Sequence, residues 1–386
     1  NAYKKNQLLY YANLLSPVIK KPWFSKIKQK NLQMAYLCAF ASLDGLTDES
    51  GIYAGIPWFL QKWSRDELIS VKAWYHHEKY GLIKSVINKR LSMIQEDGRL
   101  PNQDPPTQLA SVDSLGWLCL RFYEFIKVLE KKKMLDRVYT REEINEIVVR
   151  LKDAIKDLYI KYHQDGLIYT KELETWMDSS SGYDTREGFP IEIQALVLKS
   201  LHVLHILSQN INLKKWENDL WQHTVTNFWN HLLLKDGKDD ETQRPNIFIA
   251  YYVYPKLLYK DEWITALDNA LLSLWQPYGG ISTIDRESPL FQPIYTGEDN
   301  RSYHRGDVLY WVNNLAAISM FRLNKVHYKE RINKILDASI HDLLWQGAIG
   351  HASELSSAIE QKPAGCFAQA WSSALFIELV EEIFGK

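Results

Sequence analysis

Two alternations run through this chain in step, and together they leave few folds open. The first is in helix character. Apolar residues recur at helical spacing near 29–42, 65–79, 83–94, 111–132, 141–163, 189–208, 214–234, 247–255, 260–274, 304–323, 327–345 and 367–384, with an extra helix expected over 4–17. Some of these windows are amphipathic. In "REEINEIVVRLKDAIKDLYIKYH" (141–163), Ile144, Ile147, Val148, Leu151, Ile155 and Leu158 share one face and charges occupy the other, as expected of a helix with one side in the core. Thr140 followed by Glu143 offers a capping box at its start. Other windows, such as "VLYWVNNLAAISMF" and "FAQAWSSALFIELV", are apolar almost all round, the signature of a helix enclosed on every side. From the third window on the two kinds largely alternate, and no strand series of period two appears.

The second alternation is in the connections. Those at 80–82, 133–140, 209–213, 256–259 and 324–326 are short, while those at 43–64, 95–110, 164–188, 275–303 and 346–366 are long; 235–246 is intermediate. Consecutive antiparallel helices put alternate connections at opposite ends, so the long loops gather at one end. Six hairpins with an outer amphipathic layer and an inner apolar layer describe an all-α (α/α)6 toroid over residues 1–386, read as a single domain. A superhelical repeat protein would also be built of helix pairs, but no fixed sequence period supports it.

Composition narrows the function classes. A net charge of −1 and a pI near 6.9 provide no field to recruit nucleic acid or an anionic membrane. Lys131–Lys133 read as a solvated helix end. No apolar run approaches the roughly 20 residues that span a bilayer. Cys38, Cys119 and Cys366 are odd in number and scattered, which suits a reducing, cytoplasmic compartment better than a disulfide framework. No metal site or cofactor is expected: His76 and His77 diverge around a helix, and the acidic run 236–242, read as solvated, lacks the residue placement of a calcium loop. The chain opens on Asn rather than Met, which suits a module that follows an N-terminal domain. The 14 Trp and 22 Tyr exceed what a core requires.

Those aromatics concentrate in the long loops, interleaved with carboxylates and Arg. Aromatic faces stack on the C–H surfaces of pyranose rings and charged groups bond their hydroxyls, so the loop end suits a sugar. The stretches "GIPWFLQKWSRDELIS", "DGRLPNQ…SVDSLGW", "ETWMD…TREGFPIEIQAL", "SYHRGDVLYW" and "SELSSAIEQKPAGCFAQAW" resemble, in order, the C-terminal amylo-α-1,6-glucosidase domain of glycogen debranching enzymes, within the broader glucoamylase-like (α/α)6 glycosidases. The likeness runs from about residue 51 to residue 376. Ser64 stands where that family usually has Gly, Gln194 where it has Asn, and "DVLYWVNN" where it has "TVWPWLLG".

The resemblance implies an inverting glycoside hydrolase that removes glucose from α-1,6 branch points of a glycogen-like or malto-oligosaccharide glycan. Such chemistry needs one carboxylic acid for the leaving oxygen and one carboxylate to activate water on the opposite face. By resemblance, Asp178 of "TWMD" is the acid and Glu354 of "SEL" the base; Glu174, Asp184 and Glu192 are nearby competitors for the acid role. Trp176, as an apolar wall beside Asp178, would disfavour its ionised form. Arg65 and Asp66 resemble the pair that grips the terminal glucose. Trp63, Asp113, Trp176, Tyr303, His304, Arg305, Gln369 and Trp371 complete the expected sugar contacts. Blander readings exist for several: an ion pair opening a helix for Arg65–Asp66, a helix cap for Asp113, a buried core residue for Trp117, and a capping or solvated carboxylate for Glu354. A thiol nucleophile at Cys366 with His351 is a thin alternative. Competing functions are a glucoamylase-like α-glucosidase, a neutral invertase and a silent glycan-binding domain. The presence of both carboxylates speaks against the last.

Overall fold

The computed structural model describes residues 2–180 and 184–385. Its helices are α1 (Ala2–Ile19), α2 (Lys30–Gly45), α3 (Ser64–Ser70), α4 (Tyr80–Ser92), α5 (Asp113–Lys131), α6 (Leu135–Val138), α7 (Arg141–Tyr162), α8 (Ile191–Ser208), α9 (Ile211–Phe228), α10 (Asn246–Val253), α11 (Lys260–Leu274), α12 (Tyr310–Asn324), α13 (Lys329–Trp345) and α14 (Ala370–Phe384). The capping box opens α7 as its sequence requires: the Glu143 N–H donates to Thr140 Oγ1 at 3.1 Å and the Thr140 N–H to Glu143 Oε2 at 2.8 Å. Ile147, Val148, Leu151, Ile155 and Leu158 then bury one face of that helix. By contrast every residue of α10 is buried, which its uniformly apolar sequence permits.

The apolar helices close on one another. α3 packs on α5, α5 on α8, α8 on α10, α10 on α12, α12 on α14, and α14 returns to α3. This is an inner ring of six. α2, α4, α7, α9, α11 and α13 lie outside it, each preceding its inner partner in the chain, so the molecule is an all-α (α/α)6 toroid. α8 is apolar enough by composition to cross a membrane, with a mean hydropathy of 1.3 over 18 residues, contrary to the expectation that no such run exists. Its place between α5, α7, α9 and α10 in the ring accounts for that apolarity.

Each long connection leads into the N-terminus of an inner helix, so the long loops share one face. Two-residue antiparallel ladders stitch them together: 55–56 with 368–369, 62–63 with 103–104, and 355–356 with both 308–309 and 363–364. Three helix boundaries differ most from expectation. The helix expected over 65–79 tightens to a 3-10 turn at Val71–Trp74. The one expected to reach 234 stops at Phe228, because the Asn230 side chain accepts from the Leu232 and Leu233 N–H groups and turns the chain. The one expected from 304 begins at Tyr310, because Gly306 (φ +156°) packs its α-carbon against the Gln292 carbonyl in a conformation that only glycine fits. The aromatic surplus is also less of a surface feature than composition suggests: Trp74, Trp117, Trp263 and Trp311 are buried.

Candidate active site

On the loop face, a cavity of about 190 Å³ is lined by Phe59, Trp63, Arg65, Asp66, Trp176, Asp178, Ser179, Asn300, Tyr303, Gln369 and Trp371. Four larger cavities among the described residues are lined by none of these side chains. This one lies below the roughly 300–1,000 Å³ of a pocket for a drug-sized ligand, which limits it to one small unit such as a single sugar ring. Its side chains come from the loops before α3, α8 and α12 and from the starts of α3 and α14, which the toroid brings together from across the sequence.

Three tryptophans build an apolar wall. Trp176 meets Trp311 edge-on at 5.0 Å, and Trp311 stacks on Trp371 at 4.8 Å. The Trp176 ring is locked by its Nε1–H, which donates to Asn246 Oδ1 at 2.6 Å. Asn246 in turn donates to Asp236. Asp236 is therefore buried and ion-paired with Arg186 and Arg244, so the expectation that the run 236–242 is merely solvated fails at its first residue.

Asp178 sits two residues after Trp176, with a quarter of its side chain exposed. Burial pushes its carboxyl upward, opposed by the Arg65 guanidinium. Arg65 itself is fully engaged: Nε donates to Asp113 Oδ2 at 2.7 Å, Nη1 to Asp178 Oδ2 at 3.3 Å and Nη2 to the Thr175 carbonyl at 3.0 Å. Arg65 thus touches the cavity while holding the Asp178 segment in place. Asp66 is buried, its Oδ1 accepting from Gln369 Nε2 at 3.2 Å. Burial drives its carboxyl up to about 7, against the pull of Arg65 and helped by the charges of Asp178 and Glu354.

Glu354 lies behind the cavity wall rather than in it, and both its oxygens are held. Oε1 accepts a short hydrogen bond from the Tyr303 hydroxyl and Oε2 accepts from the Cys366 N–H at 2.8 Å. Gly365 (φ +67°) makes this possible, since a β-carbon there would come 2.3 Å from Glu354 Oε2. Burial raises the Glu354 carboxyl, the Tyr303 and Cys366 hydrogen bonds pull it down, and the charge of Asp178 adds to the rise. The charge of Asp178 therefore reaches Glu354. Trp63 Nε1, Trp371 Nε1 and Gln369 Oε1, all on cavity residues, are buried without a protein partner. Such groups are costly unless a ligand satisfies them.

Three expected sugar contacts are not at the cavity. Asp113 is spent on Arg65. His304 is buried, its Nδ1 paired with the Ser179 hydroxyl at 2.7 Å and its ring edge-on to Trp176. Arg305 is bound to Asp184, with Nε 2.7 Å from Oδ2. Each is held by groups of the protein and lies outside the cavity lining. The rival acids are also tied up: Glu174 pairs with Arg99, Asp184 with Arg244 and Arg305, and Glu192 with Arg186. Trp117 takes the core reading. His351 pairs with Ser42, and burial pushes the Cys366 thiol up to about 12, so neither forms a nucleophilic pair. Sequence reasoning did not single out Phe59, Ser179 and Asn300 in the lining; Phe59 lies inside the stretch "GIPWFLQKWSRDELIS" and Ser179 directly follows "ETWMD", but nothing marks Asn300 in advance.

A family model described as amylo-alpha-1,6-glucosidase matches residues 33–378. No curated protein matches the chain. Among solved structures the fold is similar to an uncharacterised conserved protein from Thermus thermophilus (TM-score 0.65, 13% identity, 89% of this chain and 98% of that one). It is also similar to a GH63 mannosylglycerate hydrolase from the same organism in complex with glucose (TM-score 0.63, 13% identity, 89% and 99%). A glycosidase variant in complex with glucose aligns with a TM-score of 0.63 at 12% identity over 92% and 99% of the two chains.

Proposed function

The chain belongs to the amylo-alpha-1,6-glucosidase family of glycoside hydrolases, and from that premise we propose that it releases single glucose units from α-1,6 branch stubs of a malto-oligosaccharide or glycogen-like glucan, with inversion. The observation that carries this reading is the cavity itself. It has room for one ring, Asp178 with its raised carboxyl stands in an aromatic wall, and a second buried carboxylate, Glu354, stands behind Tyr303. Asp178, protonated, gives its proton to the glycosidic oxygen as the bond from that oxygen to the anomeric carbon breaks. Glu354 takes a proton from the water that attacks the same carbon from the opposite face. The electron pair of the broken bond stays on the leaving oxygen, and the new C–O bond has β configuration. Trp63, Trp371 and Gln369 offer two donors and an acceptor to ring hydroxyls, and Asp66 with Arg65 closes the end of the pocket. Glucose complexes among proteins of similar fold support a glucose-sized pocket.

The test is hydrolysis of a single-glucosyl α-1,6-branched dextrin followed by NMR of the first product. β-Glucose is expected, released faster than from linear maltooligosaccharide. Asp178→Asn and Glu354→Gln should each cost about 10²–10⁴-fold in kcat with an unchanged circular dichroism spectrum. Release of α-glucose, preference for linear chains or sucrose, or near-full activity in either folded variant would each overturn the corresponding part of the reading.

A further inference from the structure

A pocket that holds one ring leaves the rest of a branched substrate at its mouth, and one side of that mouth carries an uncharged, exposed apolar strip. The strip begins at the turn 55–59, closed by the Gly55 N–H donating to the Phe59 carbonyl at 3.0 Å. Phe59 lines the cavity, while its two neighbours are displayed to solvent: Trp58 is 66% exposed and Leu60 58% exposed. The pairing of 55–56 with 368–369, extended by the Phe367 N–H donating to the Ile56 carbonyl at 3.0 Å, lays Phe367 alongside this turn. Phe367 is 46% exposed. It follows Cys366, whose N–H holds Glu354, and precedes the cavity residues Gln369 and Trp371. The strip thus starts where the cavity ends, on the same two segments.

Its chemistry differs from that of the cavity. Residues 55–60 and 363–368 contain no charged side chain, whereas the cavity is built on carboxylates and a guanidinium. Half of the 14 tryptophans are buried, whereas Trp58 is held out beside the cavity on a hydrogen-bonded turn. Contiguous exposed apolar groups of this kind mark binding surfaces, and flat aromatic faces without charge suit the C–H faces of neutral sugars.

We infer that Trp58 and Phe367, flanked by Leu60, form an acceptor-side subsite that carries the α-1,4-linked main chain while its single-glucose α-1,6 stub occupies the cavity. This deepens the glucosidase reading above and rests on it for the position of the stub. The strip makes the enzyme selective for a branch on a chain over the same linkage on a small leaving group.

Trp58→Ala, Phe367→Ala and the double variant test this on two substrates, a single-glucosyl α-1,6-branched dextrin and 4-nitrophenyl α-glucoside. Each single change is expected to lower kcat/KM on the dextrin by about 2- to 10-fold, from the size of one aromatic contact, chiefly through KM. The double variant should lose more, and Trp58→Phe should recover most of the loss. Turnover of the small glucoside should stay at the wild-type level. Equal losses on both substrates, or none on the dextrin, would overturn the subsite. Electrophoresis of the same proteins through gels containing glycogen reads the strip without catalysis. Wild-type retardation that disappears in the double variant supports it even if the glucosidase reading fails. A wild type that is not retarded, or a double variant retarded as strongly, overturns it. A change in oligomeric state on Trp58→Ala with unaltered glycan binding would assign the strip to a protein interface instead.

Discussion

The contact between Tyr303 and Glu354 sets how the site answers to pH. Burial raises the Glu354 carboxyl, and the phenol hydroxyl, by donating to its ionised form, pulls it down. Removing that donor in Tyr303→Phe therefore raises Glu354 further. A general base must be ionised to work, so the acid limb of the kcat/KM profile should move to higher pH, and activity near pH 5 should fall more than activity near pH 7. The alkaline limb, governed by the proton on Asp178, should stay in place. A pH profile of kcat/KM for the variant checks this; a uniform loss at every pH would mean that Tyr303 only fills space. None of this coupling was legible in the sequence, where the two residues lie 51 positions apart. Asp178 and Glu354 could be singled out as candidates, because each sits in a motif whose neighbours constrain it. The roles of His304 and Arg305 were not legible, because a polar residue at a helix start reads the same whether it meets a sugar or, as here, Ser179 and Asp184. Ser64 and Gln194, both departures from the family pattern, are buried and answer to the backbone: the Ser64 hydroxyl donates to the Pro101 carbonyl, and Gln194 holds Ile168 and Pro190.

Helices were the most readable level, and the reason is burial. An inner helix of the ring has neighbours on every side, so its sequence is apolar all round, and an outer helix has one wet face. Boundaries were less readable where tertiary contacts override periodicity, as at Gly306, whose close approach to Gln292 delays the start of a helix expected from 304. Closure of the ring also depends on a feature with no periodic signal. Gly116 on α5 faces Leu196 on α8, where a β-carbon would lie 2.6 Å from the Leu196 β-carbon, so the two inner helices meet at their backbones. Gly116→Ala should gain up to about 1 kcal/mol of helix propensity but force the pair apart, at an overpacking cost of about 1–3 kcal/mol. Net destabilisation is expected, seen as a lower denaturation midpoint at unchanged slope. A variant as stable as the parent would show that α5 and α8 can separate freely.

Across the whole molecule, two sets of buried or partly buried carboxyls act in opposite pH windows. Glu124 and Glu217 are raised by burial but more strongly lowered by their partners, Lys72 and Arg121 for the first and His202, Tyr254 and Lys214 for the second, so that each lies at about 2. Their contribution to stability is present above the unfolded value near 4.4 and is lost as the pH falls towards 2. Asp66, Asp307 and Asp342 are driven by burial up to about 7. A folded state that holds these protons more tightly than the unfolded chain is favoured fully below about pH 4, and that advantage is lost as the pH rises through 7. On these groups alone, stability should peak near pH 4–5 and decline towards neutrality. Asp307 isolates the second effect. It is fully buried, one oxygen accepts from the Ser302 hydroxyl at 2.8 Å, and the other has no protein partner. Asp307→Asn removes the charge while keeping an acceptor for Ser302. Its Tm relative to wild type should therefore be higher at pH 8 than at pH 4, flattening the decline between the two. Melting curves at half-unit intervals from pH 4 to 8 decide it: parallel profiles for the two proteins would mean that Asp307 is neutral throughout, or that its charge in the native state is as well solvated as in the unfolded chain.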